Sequence, residues 1–186
     1  MGLTLDDQHH YELDGRRLIS VTQALSILNN RWKVDPWYLE RGKAIHLVTE
    51  FYDRGTLDES TVDHQILPYL DAYVKFRQDT GFQPIWIEHS FHHRIYLYAG
   101  KIDRIGELNA HRVIVDLKSG AKSEVDELQG AAYFELCKIN NIVIDKIFDL
   151  YLKDNGSYSL VETTKSKLLL SIFLAMLTLT KWREGL

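Results

Sequence analysis

Two aspartates and a lysine carry the chemical signal in this chain. Asp103 lies in GKIDRIGEL, and Asp116, 13 positions later, opens DLKSG, with Lys118 two positions beyond it. Two carboxylates and an amine brought to one point are the equipment of metal-assisted phosphodiester cleavage: the acids hold a divalent cation, and the amine attends a water or a growing negative charge. Strand periodicity supplies the geometry. Residues 96–105 and 112–118 read as strands joined by a connection around 107–111, so a hairpin would make them neighbours. Val113, Ile114 and Val115 form a β-branched run expected to be buried on both faces until the chain turns polar at Asp116. Side chains at i and i+2 of a strand share a face, so Asp116 and Lys118 project together while Leu117 points away. An ordinary surface hairpin shows the same two acids, because strand-end aspartates are commonly solvated. Lys118 at i+2, the buried run leading in, and the later segment QGAAY (Gln129 to Tyr133) favour a site.

The flanking pattern says what must position these groups. Asp14-Gly15 marks a hairpin turn within 11–19. Ser20 and Gln23 fit a capping box ahead of a helix whose stripe is Val21, Ala24, Leu25 and Leu28. Asp35 as N-cap and Pro36 at the first helical position open a second helix running to about Asp53 before Gly55, with Trp37, Ala44, Leu47, Val48 and Phe51 as its expected buried stripe. A third helix lies within 63–80; Pro68 places its regular part from near Leu67, and Gly81 stops it. Strands follow at 85–94, 96–105 and 112–118, then a helix at 124–139, strands at 144–153 and 158–161, and a helix at 165–182. Helix, three strands, helix, strand predicts a mixed α/β sandwich with a central sheet covered by helices.

Composition bounds the remaining choices. The chain has 186 residues, is 45% hydrophobic and contains no Pro-, Gly- or Ser-rich linker, so one domain, 1–186, is expected. The lone Cys137 excludes an intramolecular disulfide and any iron-sulfur or zinc site built from this chain's cysteines alone. The start, MGLTLDDQHH, lacks a basic and apolar leader, which points to the cytoplasm. The apolar stretch 168–180 is shorter than the ~20 residues a bilayer requires, so a buried or self-associating helix is expected rather than membrane contact, and a homo-oligomer stays open. A net charge of −4 argues against a general nucleic-acid coat but not against a nuclease, which gathers acids at its metal and needs only local bases. Arg31, Lys33, Arg41, Lys43, Lys101, Arg104 and Lys122 are candidates for the phosphates, and Trp32, Trp37, Tyr38 and Tyr52 for base stacking or for the core.

RGKAIH (Arg41 to His46), GKID (Gly100 to Asp103), DLKSG (Asp116 to Gly120) and QGAAY (Gln129 to Tyr133), in this order over about half the chain, resemble the PD-(D/E)XK nuclease superfamily and, within it, the RecB-like exonuclease branch, which includes phage recombination nucleases and the mitochondrial genome maintenance exonuclease. The resemblance implies a restriction-endonuclease-like three-layer sandwich with core order αβββαβ. It implies one or two Mg²⁺ or Mn²⁺ ions held by His46, Asp103, Asp116 and the Leu117 carbonyl, with Lys118 attending the attacking water. Gln129, Tyr133 and Arg41 would contact DNA. Ile102 stands where the superfamily's nominal motif has proline, as in the branch's GxxD form, and the four cysteines of cluster-containing members are missing, so no iron-sulfur cluster is expected.

Two further acids belong to the candidate set. Glu88, in WIEHSF, shares a face with Trp86 and Ser90 by alternation, and related nucleases sometimes supply a first-strand acid. Glu50, one turn beyond His46, would orient that imidazole, approach the metal, or stay solvated. His92 and His93 read as pH-sensitive surface groups. The expected activity is that of a metal-dependent DNA exonuclease in recombination, repair or phage replication, working with a recombination partner. A structure-specific endonuclease and a non-catalytic nucleic-acid-binding relative are the alternatives.

Overall fold

A computed structural model describes residues 2–6, 10–29 and 35–186; Arg31, Trp32 and Lys33 lie outside the described residues. The strands are β1 (Leu3–Leu5), β2 (Tyr11–Leu13), β3 (Arg16–Ser20), β4 (Gln83–His93), β5 (Tyr98–Leu108), β6 (His111–Lys118), β7 (Lys146–Leu152) and β8 (Tyr158–Glu162). The helices are α1 (Val21–Asn29), α2 (Pro36–Arg54), α3 (Leu67–Thr80), α4 (Glu124–Ile139) and α5 (Lys167–Glu184). One mixed sheet runs β1-β2-β3-β5-β6-β7-β8, with β4 paired to β5. The β3–β5 and β6–β7 pairs are parallel and the others antiparallel.

Local chemistry accounts for the helix ends. The Ser20 hydroxyl accepts from the Gln23 amide while the Gln23 side chain accepts from the Ser20 amide, a reciprocal cap at the start of α1. Asp35 caps α2 through the Trp37 amide, and Gly55 ends it with φ 67°, a conformation costly for residues bearing a Cβ.

The helices cover both faces of the sheet. On one face α1, α4 and α5 close over Ile102, Ile105 and Ile114. On the other, α2 and α3 close over Val113, Val115, Leu117 and Leu150, with Tyr73, Phe76 and Phe82 fully buried. Each such aromatic contributes about 1.5–3 kcal/mol by leaving water. The result is the expected three-layer restriction-endonuclease-like sandwich.

Four details depart from the sequence reading. Strand β5 runs on to Leu108, and the hairpin turns at Asn109 and Ala110, both with positive φ. Strand β1 adds a third member to the N-terminal hairpin. Of the stripe expected on α2 only Val48 is buried; Trp37, Leu47 and Phe51 are exposed, and Ile45 and Thr49 face inward with Val48. The inward face of α2 is partly polar because it must meet charged groups on the sheet, so an apolar-only period selects the wrong phase. In α5, Phe173, Met176 and Leu177 are buried, whereas Leu168 and Trp182 are exposed. Among the described residues, no helix is long and apolar enough to cross a membrane.

Candidate active site

Strand β5 changes partner along its length. Its first residues pair with β3, at Ile19↔Tyr98 and Ser20↔Ala99; its last five pair with β6, from Arg104↔Val115 to Leu108↔His111. Asp103 stands just outside the Arg104↔Val115 pair. Beyond it, residues 116–118 of β6 are held on the other side by β7, and the Leu117 N–H donates to the Asp103 side chain at 2.7 Å. Alternation also skips here: Ile102 and Ile105, three residues apart, enter the same core cluster. Asp103 and Arg104 consequently both face α2, Asp103 toward His46 and Arg104 toward Thr49 and Asp53.

Glu88 completes this group from β4. The flanking pairs Ile87↔Arg104 and His89↔Ile102 set it across from Asp103. Its φ of 50° is left-handed, rare for a residue with a side chain, and the register slips by one residue just before, between Pro84 and Trp86. Simple alternation would put Glu88 with Trp86; instead Trp86 packs on the α1/α4/α5 side and Glu88 meets groups of α2 and β5. Strain in a strand interior needs a compensating interaction, and three charged partners supply it.

His46, Glu88 and Asp103 bring ligand atoms within 4.8 Å of one another. The His46 Nδ1 lies 3.4 Å from both Glu88 Oε1 and Asp103 Oδ1. The carboxylates are 5% and 8% exposed and the imidazole 34%, so the trio opens to solvent past His46. Burial disfavours a charged imidazole, but Asp103 and Glu88 outweigh it and push His46 up to about 10. Burial likewise opposes ionisation of Asp103, yet His46, the Leu117 amide and Arg104 hold it well below the carboxylate range. One imidazole nitrogen and two carboxylates carry the charge and donor types that a divalent cation needs.

Beside it lies a second polar chain. Lys118 is ion-paired to Asp116, donates to Gln129 Oε1 at 2.7 Å and stands 3.6 Å from Asp126; Gln129 passes the chain to the Tyr133 hydroxyl at 2.9 Å. Burial opposes the Lys118 charge, but Asp116 and Asp126 keep it above the ordinary lysine range. Burial raises Asp116, with Asp103 and Asp149 adding to the effect against Lys118. The α4 residues are placed by a capping box in which Asp126 accepts from the Ser123 amide at 2.9 Å while also taking the Tyr151 hydroxyl at 2.8 Å. A Cβ at Gly100 would sit 2.9 Å from both Tyr133 and Val21, so the glycine of GKID is what lets Tyr133 lie against β5.

The structure thus joins His46, Glu88 and Asp103 in one group and Asp116, Lys118, Gln129 and Tyr133 in the next. Asp116 stands outside the converging trio, and the Leu117 contact is through its amide. Glu50 does not reach His46: its carboxylate binds Arg54, an i,i+4 pair on the helix surface. Arg104, expected to meet phosphate, is fully buried, donating to Asp53 at 2.6 Å, Glu88 at 3.0 Å and Thr49 at 3.1 Å. Arg41 donates to the Ser119 carbonyl at 2.9 Å, lies over the Trp37, Tyr38 and Tyr69 rings, and lines a cavity of about 580 Å³ with Tyr38, Tyr69, Ser119, Gly120 and Lys153. His93 is buried; its Nδ1 accepts from the Ile95 and Tyr96 amides, so it caps the β4–β5 turn. Sequence reasoning cast Arg104 only as a phosphate contact and missed Asp53 and Asp126. Only Asp126 had a signal, as the fourth residue of the Ser123 capping box.

A family model of the PD-(D/E)XK nuclease superfamily matches residues 59–143, which span Glu88, Asp103, Asp116, Lys118, Gln129 and Tyr133. Over that stretch the chain is similar to the PD-(D/E)XK nuclease superfamily. Solved structures share the fold of this chain at low identity. A candidate exonuclease from Eubacterium rectale is 11% identical with a TM-score of 0.58, covering 89% of this chain and 79% of its own. The alkaline exonuclease of Laribacter hongkongensis is 9% identical with a TM-score of 0.52, covering 89% and 87%. The same enzyme with dAMP bound gives 10% and 0.51, with coverage of 89% and 87%. No curated protein matches the sequence. The superfamily's divalent-metal hydrolysis fits the donor set described above.

Proposed function

We propose that this chain is a metal-dependent DNA exonuclease of the RecB-like branch, acting in recombination, repair or phage replication. The observation that carries the reading is the convergence of His46, Glu88 and Asp103 within 4.8 Å beside an ammonium fixed by Asp116 and Gln129. A nuclease fold shared with exonucleases supports the direction of attack from a DNA end, as does the dAMP, a mononucleotide, in one of them.

His46, Glu88 and Asp103 would hold Mg²⁺ or Mn²⁺, with Asp116 and the Leu117 carbonyl approaching from β6. Bound there, the cation would lower the pKa of a water and neutralise charge on the phosphate. The residues do the rest. Asp116 and Asp126 keep Lys118 protonated, so it presents a fixed positive charge to the phosphoryl oxygens as negative charge grows. Gln129 and Tyr133 set the direction of that ammonium, which needs no reorganisation when the phosphate arrives. Arg41 and the cavity beside Ser119 and Gly120 would take the neighbouring nucleotide, with the exposed Tyr38 available to stack on a base.

Purified protein is expected to degrade linear DNA with Mg²⁺ or Mn²⁺ and to spare covalently closed circles. Asp116→Ala and Lys118→Ala should abolish cleavage while leaving the circular dichroism unchanged. Cleavage of closed circles would establish an endonuclease instead, and equal activity in wild type and both variants would remove the reading altogether.

A further inference from the structure

Both oxygens of Glu88 are engaged. Its Oε1 takes the buried Arg104 guanidinium at 3.0 Å and lies 3.4 Å from His46; its Oε2 is ion-paired to the Lys101 ammonium at 2.8 Å. A cation engaging this carboxylate therefore competes with positively charged donors already on it, and the three differ sharply in their freedom to leave. Arg104 is 0% exposed and tied at once to Asp53, Thr49 and the Asp103 carbonyl, so moving it would break every one of those bonds. His46 is itself one of the three converging groups and stays as a ligand once it gives up its proton. Lys101 is different: its side chain is 42% exposed, and Glu88 is its one ion-pair partner among the described residues. It stands on β5 two residues before Asp103.

We propose that Lys101 is a displaceable counter-ion for Glu88: a divalent cation drives its ammonium off the carboxylate, and the released ammonium then takes a phosphate of the DNA strand. The inference rests on reading His46, Glu88 and Asp103 as the cation site. Its consequence is that cation and DNA each strengthen the binding of the other, because either one removes Lys101 from the position where it opposes the other's partner. Lys101 is a positioning residue, acting on the cation through Glu88.

The test measures Mn²⁺ binding to the intact chain by titration calorimetry, without DNA, for wild type, Lys101→Met, Lys101→Arg and Asp103→Asn. Part-exposed ion pairs are worth a factor of roughly two to five in an equilibrium constant, so Lys101→Met should bind Mn²⁺ about two- to fivefold more tightly. Lys101→Arg, which keeps the charge, should match wild type, and Asp103→Asn should lose binding. Anisotropy of a phosphorothioate oligonucleotide, which resists cleavage, should then show Mn²⁺ raising DNA affinity in wild type and raising it less in Lys101→Met. Unchanged or weaker Mn²⁺ binding by Lys101→Met, with Asp103→Asn defective, would overturn the counter-ion role and leave the cation site standing. Absence of Mn²⁺ binding by wild type would overturn both.

Discussion

Replacing Arg104 with methionine tests whether the polar inward face of α2 is what holds the site in shape. The guanidinium is fully buried, donates to Asp53, Glu88, Thr49 and the Asp103 carbonyl, and lies 5.7 Å from the Tyr73 ring centroid. Methionine fills much of the space but leaves two buried carboxylates short of a partner. Breaking a buried ion pair by removing one member costs about 3–5 kcal/mol. Here the lower end applies, because Asp53 keeps Arg77 and the Tyr73 hydroxyl, and Glu88 keeps Lys101. A loss near 3 kcal/mol in a domain of this size lowers Tm by roughly 6–12 °C. Urea unfolding would read it as a shift in midpoint at constant slope. Pairing Arg104→Met with Asp53→Asn closes a double-mutant cycle, in which the neutralised acid should recover about 1 kcal/mol or more of the loss. Destabilisation below about 1 kcal/mol, or strict additivity in the cycle, would show that the network is ornamental and that apolar packing alone positions Glu88.

Further outcomes follow from the same geometry. Mn²⁺ at about a hundred times its Kd should stabilise the wild type by roughly 2.7 kcal/mol, raising Tm by about 5–11 °C, with EDTA reversing it and Asp103→Asn showing none of it in a thermal scan. Gly100→Ala should cost about 1–3 kcal/mol by pressing a methyl into Tyr133 and Val21, and cleavage should fall further than stability because Tyr133 steers Gln129. Burial lowers the pKa of His93, and its Nδ1 already accepts from two amides. The unfolded chain therefore takes up the proton first, so the stability this histidine contributes is present above about 6.5 and lost as pH falls below it. Urea unfolding of wild type and His93→Asn between pH 7.5 and 5 should diverge only at the acid end; parallel curves would refute the assignment.

Asp116 and Lys118 were legible because β6 is regular: strict alternation after a buried run put them on one face, and the structure has them ion-paired. Gln129 and Tyr133 were legible for the helical version of the same reason, four residues apart on α4. What periodicity could not show is where it fails. Glu88 was assigned to the face of Trp86 because a one-residue slip and a left-handed φ leave no trace in the order of residue types. The buried stripe of α2 was misread because the groups it covers are charged, so its inward positions at His46, Thr49 and Asp53 look like surface ones. Arg104 drew attention only as a base for phosphate, since an arginine that serves as the hub of a buried network has the same letter as one in solvent. The superfamily motifs found the neighbourhood, and the backbone irregularities decided which acids meet.

The skip in alternation at Asp103–Arg104 makes the two halves of β5 opposite in phase, like two lengths of zip joined one tooth out. Deleting one residue at that join would restore an unbroken rhythm and give the sheet a tidier strand. Yet only one position would then face α2 between Ile102 and Ile105, so either Asp103 or Arg104 is lost, leaving His46 without the acid or Glu88 without its buried clasp. Mutational paths that smooth this strand therefore lead away from the proposed cation site, and the imperfection is the part of β5 on which that site depends.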